Sequence, residues 1–326
     1  MTAMLPASIA VVLGLIGLLW GADRFVAGSA GGAKNFGISP LIIGLTFVSI
    51  GTSAPEIFVA VNAALSGSGD IAIGNALGSN IANVGLVLGV TALVAPLPSQ
   101  WHLLKQEAPV LLGVTALAGI LLANNYLSRL DGLLLLGLLV PTLWLTIHLK
   151  KRELSPIEVA EEEEIPDIST GAAILWFVVG LAVLLVSSEA LVWGAKEIAT
   201  HFGVSELVIG LTVVAIGTSL PELAASVMSA IKGQHDIALG NVIGSNMFNL
   251  MAVMSVPGII SPITLQSGVL SRDYVAMAAL TALLVVAIWL SLRGKSSQQA
   301  GRLGRRFGIT LLLLWFGYNY LLLVHG

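Results

Sequence analysis

Long apolar runs separated by short polar breaks dominate the chain. Ten of them approach or exceed the about 20 residues that a helix needs to cross a hydrocarbon core. In the first half they cover roughly 5–32, 40–65, 71–94, 108–123 and 130–149; in the second, roughly 172–198, 206–231, 237–260, 274–292 and 308–324. The pattern predicts an all-α polytopic membrane protein with ten transmembrane helices. The runs beginning at Leu5 and Ala172 are long enough to tilt or to project beyond the interface. One extended hydrophilic run, 150–170, carries KKREL and then EVAEEEEIPD. It reads as a solvated acidic linker between an N-terminal five-helix half (1–149) and a C-terminal five-helix half (171–326). Five is odd, so the second half enters the membrane from the opposite side, which predicts an inverted repeat.

The polar positions inside the apolar runs repeat as well. GLTFVSIGTSAPE (Gly44–Glu56) returns as GLTVVAIGTSLPE (Gly210–Glu222), an offset of 166 residues. The offset holds without a gap from Phe36 and Phe202 to Asn83 and Asn249, with 27 identities in 48 positions. Each copy places a glutamate within a bilayer-length apolar run. A carboxylate there costs about 2–3.5 kcal/mol even on lenient insertion scales. Carrying that cost twice, at matched positions, predicts that Glu56 and Glu222 meet at one intramembrane cation site. A lone glutamate of this kind can also be a protonated structural residue; two in register weigh against that reading.

Composition agrees with a membrane protein: 56% hydrophobic residues, 10% charged, 36 glycines and a mean hydropathy of +0.94. Soluble domains carry about 25% charge. The net charge of −3 and the lack of a basic patch give no sign of a nucleic-acid partner. With no cysteine, disulfides, thiolate metal sites and cysteine nucleophiles are excluded together. The first run lacks a basic segment before it and reads as a spanning helix, not a cleaved signal. Lys and Arg are unevenly shared: twelve lie in the loops 1–2, 3–4, 5–6, 7–8 and 9–10, and only Arg129, Lys196 and Arg272 in the others. That bias puts the acidic linker in the cytoplasm and both termini outside, as expected for a bacterial inner-membrane protein.

On a helix, Ser49, Thr52, Ser53 and Glu56 share one face, as do Ala215, Thr218, Ser219 and Glu222. Pro55 and Pro221 each remove a hydrogen bond to the carbonyl four residues back, at Gly51 and Gly217, and offer those carbonyls and their neighbours as ligands. The next runs add Asn75, Ser79 and Asn83, and Asn241, Ser245 and Asn249, at i, i+4 and i+8. Gly74, Gly78, Gly240 and Gly244 permit close helix approach. Asp70 and Asp236 read as helix N-caps, or as residues lining an ion entrance. Asp23 and Glu189, also matched by the offset, read as interfacial and solvated. The assembled ligand set is all oxygen, which suits hard cations such as Ca²⁺; the five histidines lie at run ends or in loops. No Lys or Arg lies in the four repeated inner spans, so the bound cation must balance the two glutamates.

At these residues the chain resembles the calcium/cation antiporter superfamily, in particular the sodium/calcium exchangers. GTSAPE…GNALGSNIAN and GTSLPE…GNVIGSNMFN match the two α-repeats of that family. The resemblance implies a secondary active antiporter, not an enzyme, exchanging Ca²⁺ for Na⁺ with no cofactor; some relatives also move K⁺, others H⁺. Carried over residue by residue, it makes Glu56 and Glu222 the acidic ligands. It gives hydroxyl or carbonyl oxygens to Thr52, Ser53, Thr218, Ser219, Ser79 and Ser245, and completes the site with Asn83 and Asn249. Many relatives have Asp at one of the last two positions; here both are Asn, a departure that bears on K⁺ coupling and stoichiometry. The linker is too short for an inserted calcium-binding regulatory domain. The nearest rival reading keeps the fold and the glutamates and substitutes H⁺ for Na⁺. A passive channel fits a closed two-carboxylate site poorly. An intramembrane hydrolase lacks a His or Lys at the depth of the hydroxyl cluster.

Overall fold

The computed structural model describes residues 4–150, 167–203, 215–296 and 299–325. The elements are helices α1 (Met4–Phe36), α2 (Pro40–Thr52), α3 (Ala54–Leu65), α4 (Gly69–Val94), α5 (Leu103–Leu122), α6 (Arg129–Lys150), α7 (Thr170–His201), α8 (Ala215–Thr218), α9 (Leu220–Ile231), α10 (His235–Ile260), α11 (Val269–Leu292) and α12 (Arg305–His325). Among the described residues, eight helices are long and apolar enough to cross a membrane, and α2 with α3, bent by 44°, makes a ninth. The tenth expected span, 206–231, is described only from Ala215; its first part lies outside the described residues.

Burial divides the helices into two layers. The apolar stretch of α10 is enclosed on every side and that of α4 is mostly enclosed. The apolar stretches of α1, α6, α7 and α12 are largely open, with Leu13, Ile16, Val140, Trp144, Val178, Val186, Leu313 and Phe316 among their exposed side chains. An apolar helix exposed to this degree is stable only where lipid replaces water. The repeated polar sequence therefore occupies the centre, and the featureless apolar helices surround it.

Small residues set the closest contacts. α1 and α7 run antiparallel along a stripe spaced by seven residues. A Cβ at Gly14 would lie 2.9 Å from Leu191 Cβ, and one at Gly21 would lie 2.7 Å from Leu184 N. One at Gly28 would overlap the backbone of Phe177, and from the other helix one at Gly194 would lie 2.6 Å from Ala7 O. The seven-residue spacing keeps one seam facing its partner along the whole length. In the centre, α2 and α10 run parallel, with Gly44 against Ile237, Gly240 against Leu41, and Gly244 against Leu45 and Ser49. Nothing among the described residues comes within 4 Å of a Cβ at Gly74 or Gly78.

Chain segments from the two halves of the sequence also interlock. Strand β1 (Leu97–Ser99) pairs antiparallel with β4 (Gly301–Leu303), and β2 (Tyr126–Leu127) with β3 (Ile263–Thr264). α12 packs on the end of α4 where Gly89 meets Gly308, and α6 packs on the end of α10 where Gly132 meets Gly258. Each half thus lends its last helix to the other.

Candidate functional site

The local geometry of the site begins with two matched helix breaks. α2 ends at Thr52 and α3 begins at Ala54; α8 ends at Thr218 and α9 begins at Leu220. Ser53 (φ −84°, ψ 10°) and Ser219 (φ −91°, ψ 4°) form the joints. Pro55 and Pro221 stand in the first turn of the second segments, not in the interior of one continuous helix. That position suits proline, whose missing N–H would have had no helical acceptor there. The break leaves the glutamate that follows in the first turn of a new helix, close to its positive N-terminal dipole.

A second matched feature lies across the site. α4 and α10 each widen into a π-helical turn, at Asn83–Val87 and Asn249–Val253. The asparagine at the head of each turn is buried. π-turns alter side-chain direction within a helix and recur at functional sites.

Nine of the ten sequence-predicted site residues are buried: Glu56, Glu222, Thr52, Ser53, Ser219, Ser79, Ser245, Asn83 and Asn249; Thr218 is half-buried. The structure joins them both across the halves, through Ser53 and Glu222, and within the first half, through Ser79 and Glu56. Ser53 Oγ donates to Glu222 Oε1 at 3.0 Å, and Ser79 Oγ to Glu56 Oε1 at 3.4 Å. Among the described residues no side-chain cation pairs with either glutamate, and no cluster of three or more His, Asp or Glu forms.

Several buried polar atoms without a hydrogen-bond partner lie at this site. They include Glu56 Oε2, Glu222 Oε2, Ser219 Oγ, Ser245 Oγ and both amide atoms of Asn83 and of Asn249. Buried polar groups in a folded protein are otherwise satisfied in more than about nine cases in ten. An ensemble of unsatisfied oxygens around two carboxylates fits a hard cation by its chemistry.

Some sequence-level assignments need correction. Asn241 does not offer a free amide, and the nitrogen of Asn75 is engaged as well. Asn75 Nδ2 donates to Glu56 O at 3.2 Å, and Asn241 Nδ2 to Glu222 O at 3.3 Å and Ser226 Oγ at 2.9 Å. Asn241 Oδ1 accepts from Thr52 Oγ1 at 3.1 Å, so that hydroxyl is already engaged. These asparagines hold the glutamate backbones in place. The Gly217 carbonyl, expected to be free, accepts from Ser188 Oγ at 3.1 Å. Asp70 is no cap: the N-cap position is Ser68, and Asp70 Oδ2 accepts from Gln266 Nε2 at 2.8 Å. Asp236 likewise follows the N-cap position, Gln234, and is buried. Glu189 is exposed as expected, whereas Asp23 is ion-paired to Lys232 at 2.7 Å.

Sequence reasoning also passed over Asn80 and Asn246, another pair at the 166 offset. Asn80 Nδ2 donates to Asn246 O at 3.1 Å where α4 crosses α10. Their identity in GSN of both repeats was the available signal.

Comparison with known proteins agrees with this geometry. The sodium/calcium exchanger protein family matches residues 7–147 and 172–324. The protein CaxA of Alkalimonas amylolytica is 48% identical over 98% of this chain and 99% of its own length. The sodium/calcium exchanger MaX1 of Methanosarcina acetivorans is 33% identical over 94% of this chain and 97% of its own. The solved structure of the sodium-calcium exchanger NCX_Mj superposes with a TM-score of 0.82 at 31% identity, covering 98% of both chains.

Proposed function

The chain belongs to the sodium/calcium exchanger protein family, and from that premise we propose that it exchanges Ca²⁺ for Na⁺ across the membrane by alternating access. The observation that carries this reading is the buried pair Glu56 and Glu222, each with one unpartnered carboxylate oxygen and, among the described residues, no Lys or Arg ion-paired to either. Two such carboxylates in a water-poor interior stay ionised only with a cation between them. The site charge of −2 suits one Ca²⁺ or two or more Na⁺. The proposed ligands are Glu56 and Glu222 with oxygens of Thr52, Ser53, Thr218, Ser219, Ser79, Ser245, Asn83 and Asn249. Asn75 and Asn241 act behind them as positioning residues.

The proposed architecture is ten spans in two inverted five-helix halves, with α8 and α9 as the repeat counterpart of the bent α2–α3 pair. Antiparallel α1 and α7, parallel α2 and α10, and the reciprocal loans of α6 and α12 all support it, because an inverted two-fold relation demands them together. In such a repeat each half can adopt the conformation of the other, which opens the shared site alternately to the two sides. Both termini are placed outside and the 150–170 linker in the cytoplasm, in a bacterial inner membrane; the 38% identical relative YrbG of Escherichia coli is named an inner membrane protein.

The test is ⁴⁵Ca²⁺ uptake into liposomes holding purified protein, under separately imposed Na⁺, K⁺ and H⁺ gradients. An outward Na⁺ gradient is expected to drive uptake. Equal uptake driven by a pH gradient in the absence of Na⁺ would replace Na⁺ by H⁺ as the coupling ion at the same two glutamates.

A further inference from the structure

At the end of the molecule formed by β1, β4 and the start of α12, a cavity of about 730 Å³ is lined by Pro96, Arg302, Gly304, Arg305, Arg306 and Phe307. In sequence these arginines are only part of a charge bias. In the structure, three of them border one cavity. Arg302, Arg305 and Arg306 are exposed, and none forms an ion pair among the described residues. No Asp or Glu occurs between Asp273 and the C-terminal Gly326, so the positive charge is not compensated locally along the chain. Arg305 Nε donates to Leu93 O at 3.1 Å, which anchors that guanidinium at the rim and leaves its terminal nitrogens to serve a ligand.

The setting is the boundary between apolar and polar surface. From Arg305 onward, α12 exposes Ile309, Leu313, Leu314 and Phe316, a surface for acyl chains directly beneath the arginines. Trp101 and Trp289 lie at the same end of the neighbouring helices, with Lys105 and Arg293 over their rings. Tryptophan and basic residues in this combination mark the headgroup level. The rule that favours basic residues on the cytoplasmic side accounts for their number but not for three bordering a single cavity beside an apolar slope. The opposite end offers no counterpart: the α5–α6 loop has only Arg129, with Asp131 two residues away.

We propose that this cavity binds the phosphate headgroup of an anionic phospholipid, held by Arg302, Arg305 and Arg306 while its chains lie along α12. Guanidinium groups match phosphate oxygens in a bidentate fashion, and basic pockets on the cytoplasmic side of membrane proteins recognise such headgroups. The inference is independent of the identity of the transported ions.

Full-length protein purified in detergent is exchanged into phosphatidylcholine nanodiscs with or without phosphatidylglycerol, and retained lipid is counted by native mass spectrometry after release. Thermal unfolding is followed in parallel with added phosphatidylglycerol, phosphatidylcholine or inorganic phosphate. The wild type is expected to retain phosphatidylglycerol preferentially and to be stabilised by it. R302Q/R305Q/R306Q should lose retention by at least roughly tenfold, and R129Q should not. R302Q/R306Q preserves the Arg305–Leu93 bond and replaces the triple variant if that variant fails to fold. Retention in the arginine variants equal to wild type would overturn the proposal. So would stabilisation by inorganic phosphate matching that by phosphatidylglycerol, which would assign the cavity to a free anion.

Discussion

Replacing Glu222 by Gln removes one charge and almost nothing else. Glu222 Oε1 accepts from Ser53 Oγ at 3.0 Å, and the amide oxygen of Gln can accept the same bond. The backbone of residue 222 stays tied to Asn241 Nδ2 at 3.3 Å. Insertion should not suffer, because a neutral side chain is cheaper in the bilayer than a carboxylate. The site, however, falls from −2 to −1 against a divalent ion whose water must be stripped away. Breaking a buried charge pair from one side costs about 3–5 kcal/mol. At 1.36 kcal/mol per tenfold, Ca²⁺ affinity should drop by roughly two to nearly four powers of ten. Glu56→Gln should behave alike, its Ser79 contact surviving in the same way. The double variant should be little worse than either single one, since both act on one ion. The assay is the concentration dependence of ⁴⁵Ca²⁺ uptake into proteoliposomes, with protein content matched. Glu189→Gln, at an exposed position, is the control and should transport normally. Half-saturation within tenfold of wild type for either Glu56→Gln or Glu222→Gln would refute the shared site.

Other expectations test the frame around that site. Asn241→Ala removes the amide that holds Glu222 O, Ser226 and Thr52 together. It should weaken Ca²⁺ by about 1–3 kcal/mol, read as a roughly 5- to 150-fold rise in half-saturation. Gly21→Ala places a Cβ 2.7 Å from Leu184 N and should cost about 1–3 kcal/mol by overpacking. Gly32→Ala, with nothing within 4 Å among the described residues, should cost little; thermal unfolding in detergent compares the two. Tyr126 and Thr264 are paired across β2 and β3, and the chain has no native cysteine. Tyr126→Cys/Thr264→Cys should therefore oxidise to a disulfide, and after proteolysis within 150–170 the two halves should migrate together on a non-reducing denaturing gel. Deleting Glu161–Glu164 should leave ⁴⁵Ca²⁺ uptake unchanged, because the linker carries no proposed ligand.

Much of this protein is written in a one-dimensional code. Apolar runs of bilayer length need no partner to declare themselves, because lipid makes every backbone hydrogen bond internal to a helix. The 166-residue repeat, with a glutamate in each copy, points to the proposed ligands from the sequence itself, because an intramembrane carboxylate is costly. The tertiary structure decided how the donors divide. Asn75 and Asn83 sit on one face of one helix and are indistinguishable by spacing. Only the packing shows that the Asn75 amide nitrogen is engaged by Glu56 O while both amide atoms of Asn83 remain without a partner. Gly217 O is claimed by Ser188, a residue whose repeat counterpart is Ala22, so no symmetry argument reaches it. The seven-residue glycine seam of α1 became meaningful only opposite α7, and the gathering of Arg302, Arg305 and Arg306 only beside Pro96. Periodicity is a property of one segment, whereas the satisfaction of a buried polar atom depends on which other segment comes to lie within 3 Å of it.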